Sequence, residues 1–143
     1  MSCFFDRIFP VWRRVPAPLA ALIAAGASLC AAGDWPHWRG PSFNGVAEGE
    51  TPPAVWDASH ILWEAPMPGL AESTPIVVGE RVYATSVDAA HANTYAICLD
   101  RDTGREIYRT RIGEAQQPRR HTSATPSPVV FGDTAIFLYG TGD

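Results

Sequence analysis

The sequence predicts an all-β protein built from repeated antiparallel sheets. After residue 60 it consists of short runs of β-branched and aromatic residues, separated by Gly, Asp and Pro, a pattern typical of strands and hairpins. After residue 33 no stretch has the helical spacing of a long amphipathic helix. A short strand–turn–strand pattern also recurs after 53 residues, which indicates a structural repeat.

Residues 1–32 have the features of a secretory signal. Three arginines lie within the first 14 residues, residues 15–32 carry no charge, and small residues precede Gly33. A charged start, an apolar core and a small-residue exit are typical of a helical signal peptide. We therefore predict cleavage between Ala32 and Gly33 and export to the periplasm or the extracellular space. The alternative is an uncleaved membrane anchor, because the apolar stretch is long enough to span a bilayer.

Cleavage would remove Cys3 and Cys30 and leave Cys98 alone, so no internal disulfide is predicted. Cys98 lies in an apolar alternating stretch and is predicted to be a buried, inert thiol. The formal net charge is −4 and no basic patch is present, which argues against nucleic acid as a partner. Membrane contact is expected only through an uncleaved signal segment.

Residues 33–60 form an irregular opening segment rich in Trp, Pro and Gly. Its large aromatic residues, Trp35, Trp38 and Phe43, could fix the segment to a neighbouring surface. The strand pattern begins after it. The predicted strands are Ile61–Ala65, Thr74–Val78, Arg81–Ser86, Thr94–Leu99 and Arg105–Ile112.

The segment between the last two strands predicts a tight turn. The Asp100 side chain can accept hydrogen bonds from amides two or three residues on, and Thr103 offers a hydroxyl to the same turn. Gly104 can adopt the positive φ that closes a hairpin loop.

The repeat predicts how the sheets are arranged. The stretch Ser73–Ala84, STPIVVGERVYA, recurs as PSPVVFGDTAIF at Pro126–Phe137. A four-stranded sheet cannot bury both faces by itself, so such units stack against their neighbours. Repeats of this length and strand content predict β-propeller blades.

The segment from Cys98 to Tyr108, CLDRDTGREIY, resembles the tryptophan-docking motif A-x-D-x-x-T-G-K-x-x-W of the pyrroloquinoline-quinone (PQQ)-like repeats in the quinoprotein alcohol dehydrogenase-like superfamily. Asp100, Thr103 and Gly104 match that motif, and Tyr108 stands where the family has Trp. The stretches WPHWRGP and LWEAPMPGLAESTPIVVGERVYATS also resemble the N-termini of exported members.

The resemblance implies one blade at residues 73–112 and the start of a second at residues 125–143, within a partial propeller spanning 61–143. Ile61–Ala65 would be the outer strand of the last blade. The chain would then hold about one and a half blades, whereas a propeller needs at least ~4. We therefore expect an N-terminal fragment or a truncated protein.

No catalytic constellation is recognisable. His37, His60, His91 and His121 lack partners at metal-site spacing, so no metal site is predicted. The His121-Thr122-Ser123 run has no G-x-S-x-G elbow. Arg119 and Arg120 could bind an anion, but the composition favours a solvated loop.

The resemblance implies two functions. The first is a non-catalytic propeller that binds protein or carbohydrate through its loops. The alternative is the N-terminal part of a quinoprotein dehydrogenase that carries PQQ and Ca²⁺ on its axis. Neither an adjacent-cysteine pair nor a set of calcium ligands is found, so no cofactor is expected for this chain alone and the non-catalytic function is favoured. A truncated product without a function of its own is the third possibility.

Overall fold

A computed structural model describes residues 33–51, 53–116 and 120–142. The predicted signal segment lies outside these ranges. Within them, no helix has the length and apolar character needed to cross a membrane.

The central feature is a four-stranded antiparallel sheet, with its strands in chain order β1-β2-β3-β4. The strands are β1 Ile76–Val78, β2 Arg81–Val87, β3 Asn93–Asp100 and β4 Glu106–Glu114. The predicted all-β fold and the predicted order of these strands are confirmed. Their ends lie within three residues of the sequence-based bounds.

The two central strands carry most of the core, because β2 and β3 have a neighbour on both sides. Val82, Ile97 and Leu99 are buried together on one face of the sheet. The side chains of Trp63 and Met67 pack over them. In the edge strand β4, every residue except Gly113 is exposed. No described strand pairs with its free edge.

The second copy of the repeated pattern forms a separate hairpin, made of β5 Val129–Phe131 and β6 Thr134–Ile136. Its turn glycine, Gly132, has φ +57°, and the matching Gly79 of the first copy has φ +56°. The repeat in the sequence is therefore a repeat of backbone geometry. A second buried cluster, Val87, Ala124 and Tyr139, lies where the chain passes from one sheet towards the other.

The predicted strand Ile61–Ala65 is wrong for the described structure. These residues follow a one-turn 3₁₀ helix, Ala58–His60, and cross the core face of the sheet without joining a strand. A strand requires a hydrogen-bonding neighbour, and no described strand lies beside this segment. Leu62 is consequently 88% exposed.

The opening segment is more closely tied to the sheets than its composition suggests. Trp35 forms an antiparallel bridge with Val77, on the free edge of β1. The ring of Trp35 lies so close to Gly40 that a Cβ there would be 2.7 Å from it. Gly40, with φ +74°, thus allows the segment to fold back on its own tryptophan.

Candidate functional site

The turn between β3 and β4 is held by the side chains that the sequence singles out. The Asp100 carboxylate accepts hydrogen bonds from the Thr103 hydroxyl at 2.7 Å and the Thr103 amide at 3.0 Å. These bonds, the hydroxyl first, lower the pKa of Asp100 from its ordinary value. The amide of Gly104 donates to the carbonyl of Asp100 at 2.9 Å, and Gly104 has φ +68°. The local chemistry proposed for this turn is present in the structure.

The same turn binds a tryptophan from a distant part of the chain. The indole Nε1 of Trp63 donates to the carbonyl of Arg101 at 2.7 Å. Its ring covers Gly104, where an added Cβ would lie 2.4 Å from Trp63 Cε3. Only a residue without a side chain allows this approach. The sequence does not predict this contact, because Trp63 and Arg101 lie 38 residues apart.

Tyr108, the residue at the tryptophan position of the motif, lies elsewhere. It stands on β4 opposite Cys98 and is 38% exposed. Partial burial raises the pKa of the Tyr108 hydroxyl. Tyr108 therefore lies on the edge strand of this sheet, and the aromatic residue docked on the turn is Trp63 instead. Cys98 is fully buried, in agreement with its predicted burial, and its sulfur lies 3.8 Å from Arg81 Nη1.

A polar cluster joins the two copies of the repeat. The carboxylate of Glu72 accepts a hydrogen bond from the Thr122 amide at 2.6 Å and from the Thr125 hydroxyl at 2.9 Å. The Thr122 bond is the main cause of a lowered pKa at Glu72. A second bond runs from the Thr74 amide to the Ser127 hydroxyl at 2.9 Å.

Two of these three bonds connect equivalent positions of the repeat. Glu72 and Thr125 are 53 residues apart, as are Thr74 and Ser127, and 53 residues is the repeat offset. Behind them, the Thr85 hydroxyl lies 2.6 Å from that of Ser73 and donates to the Ala124 carbonyl at 3.1 Å. The two copies thus meet at the segments that lead into β1 and β5.

The interpretation of residues 120–125 as part of a solvated loop needs correction. Thr122, Ser123 and Ala124 are buried, because Glu72 binds the loop and the Val87–Tyr139 cluster packs against it. Ser123 Oγ accepts from the Gln116 amide at 3.0 Å and is therefore a structural group. Arg120 and His121 are exposed, whereas Arg119 lies outside the described residues.

The four histidines occupy separate surroundings. His37 is buried and stacks on Phe43 with ring centroids 3.6 Å apart. His60 lies 3.0 Å from the Asp57 carboxylate, His91 is in the β2–β3 loop and His121 is exposed. Within residues 33–51, 53–116 and 120–142, no three His, Cys, Asp or Glu side chains converge to hold a metal.

The positions of the loops divide the sheet into two different ends. One end carries the tight turns Gly79–Glu80, Asp100–Gly104 and Gly132–Asp133. The opposite end carries the longer connections, including Asp88–Ala92 with its His91.

Comparison of the chain with protein-family models, with curated proteins and with solved structures finds no match.

Proposed function

We propose that this chain belongs to an exported β-propeller of the PQQ-like repeat type, which binds protein or carbohydrate through its loops without catalysis. The observation that carries the proposal is the pairing of repeat-equivalent residues, Glu72 with Thr125 and Thr74 with Ser127. Copies related by rotation about an axis bring equivalent residues together only near that axis. Contacts just before the first strand of each repeat are therefore the contacts that neighbouring blades would make.

The docked tryptophan supports the same arrangement. Trp63 lies on an extended segment that covers one face of the sheet and leaves Leu62 almost fully exposed. A blade has two faces to cover, and a segment contributed by the preceding blade of the ring would cover this one.

The longer loops are the proposed binding surface. Tight turns such as Gly79–Glu80 have few side chains that could contact a ligand. The opposite end carries the β2–β3 loop and the exposed side chains of Arg120 and His121. Loops held by a rigid scaffold commonly carry recognition in proteins.

The test is a binding screen of the purified exported protein against a glycan array, with cross-linking and mass spectrometry for protein partners. A double variant, Arg120→Ala with His121→Ala, should weaken the binding that is found. The matched control, Glu80→Ala with Asp102→Ala, changes the opposite end and should not. Calorimetric titration with PQQ and Ca²⁺ tests the alternative. Micromolar binding of PQQ with alcohol oxidation would replace this proposal with a quinoprotein dehydrogenase.

A further inference from the structure

We infer that residues Gly33–Gly45, here called the strap, form a plug in the central channel of the proposed propeller. The inference rests on the proposed function, since it needs a ring with an axis. It assigns to the strap the role of closing the innermost strand edges of successive repeats. A ligand centred on the axis at this level would have to displace the strap.

The first observation is how the strap binds the first repeat. Val77 donates its amide to the Trp35 carbonyl at 2.9 Å, and the Trp35 amide donates to the Val77 carbonyl. Since β1 is an edge strand of its sheet, these bonds lie on its free edge. The side-chain carboxylate of the preceding residue, Asp34, accepts from the Gly79 amide at 3.0 Å. An unpaired strand edge is a site for unwanted association, and the strap covers it.

The second observation is that the backbone carbonyl of the next residue of the strap accepts a hydrogen bond from the second repeat. The amide of Val130 donates to the carbonyl of Pro36 at 3.2 Å. Val130 lies 53 residues after Val77 and is therefore its repeat equivalent. Neighbouring carbonyls of the strap thus accept from the same position in two successive repeats.

These two contacts locate the strap near the axis. The separation of equivalent positions in a ring grows in proportion to their distance from the axis. One peptide unit spans only about 3.8 Å between Cα atoms, so two adjacent carbonyls can serve equivalent amides only where the repeats converge. The contacts of Thr74 with Ser127 place the convergence at the same strands.

The Trp35 ring stabilises the fold of the strap. Substitution of Trp35 therefore offers a way to perturb the strap selectively. The ring packs on Gly40, whose amide donates to the His37 carbonyl at 2.9 Å. Trp35→Ala removes that packing and should loosen the strap. Trp38→Ala is the matched control, because Trp38 belongs to the same segment but is 61% exposed.

The experiment is amide hydrogen exchange followed by NMR on the full chain. In the wild type, the amides of Val77 and Val130 should both be protected. In Trp35→Ala both should exchange roughly tenfold faster, the effect expected when one hydrogen bond is weakened, while the amides between β2 and β3 keep their rates. Trp38→Ala should change neither.

An unprotected Val130 amide in the wild type would overturn the inference, as would acceleration of Val77 alone. If Trp35→Ala speeds the exchange of every amide, the variant has unfolded. The inference then stands or falls on whether the Val130 amide is protected in the wild type. The outcome is independent of the proposed function. A full protein that proves not to be a ring would refute the propeller and the plug while leaving the two-repeat strap intact.

Discussion

Substitution of Gly104 by valine tests the docking of Trp63 on the β3–β4 turn. Gly104 has φ +68°, and a β-branched residue at positive φ costs about 1–3 kcal/mol. A side chain there also meets the Trp63 ring, because its Cβ would lie 2.4 Å from Cε3. The ring must then move away and lose both its packing and the hydrogen bond from Nε1 to Arg101.

Gly79→Val separates the two effects. Gly79 has a similar φ of +56°, but a Cβ there meets no atom within 4 Å. The control should therefore lose only the backbone term of about 1–3 kcal/mol. The displaced hydrogen bond contributes about 0.5–1.5 kcal/mol, and exposing about 20–60 Å² of the ring costs about 0.5–1.5 kcal/mol more. Gly104→Val should accordingly be less stable than Gly79→Val by about 1–3 kcal/mol.

The assay is urea denaturation followed by far-ultraviolet circular dichroism and by tryptophan fluorescence. Trp63→Phe serves as an intermediate variant, since it keeps an aromatic ring and loses only the Nε1 hydrogen bond, for an expected loss of about 0.5–1.5 kcal/mol. Equal losses of unfolding free energy in Gly104→Val and Gly79→Val would refute the reasoning. They would show that the tryptophan contributes nothing to the turn in solution.

Three further predictions concern other parts of the chain. The hydrogen bond from the Thr122 amide holds the pKa of Glu72 below its ordinary 4.5, so its stabilising contribution is complete above pH 4.5 and is lost as the pH falls through the lowered folded-state value. Glu72→Gln should flatten this acid limb in a pH series of melting temperatures, and Glu50→Gln, at an exposed site, should not; identical profiles for the two would contradict the role of Glu72. Cys98 should resist alkylation in the native state and react in urea, as peptide mass spectrometry would show, because it is fully buried; rapid native labelling would contradict its burial. N-terminal sequencing of the exported protein should begin at Gly33, and an intact Met1 would contradict the predicted cleavage.

The parts of the fold that the sequence predicts correctly are those governed by neighbouring residues. The Asp100–Gly104 turn depends on bonds within five residues of chain, and Gly79 and Gly132 give their turns the positive φ that each needs. Alternating apolar residues then determine which face of β2 and β3 is buried. Local chemistry of this kind can be identified from a single sequence.

The errors arise where a contact joins distant positions. Trp63 and Arg101 are 38 residues apart, so nothing in the pattern around Ile61–Ala65 shows that the segment crosses a sheet face. Thr122 and Ser123 have the composition of a solvated loop, and their burial follows from Glu72, 50 residues before Thr122. Polar side chains are buried when a partner satisfies them, and the sequence does not reveal that partner.

The position of the contacts between repeats bears on the type of repeat architecture. In a linear stack, adjacent copies are related by a translation, so equivalent residues lie at similar distances along the whole length of each unit. In a ring, they converge at the inner strand and diverge outwards. Here the bonds between equivalents occur at Glu72 and Thr74, just before β1, and the shared strap reaches Val77 and Val130. Contact between equivalent residues beside the first strands is the arrangement that the proposed ring requires.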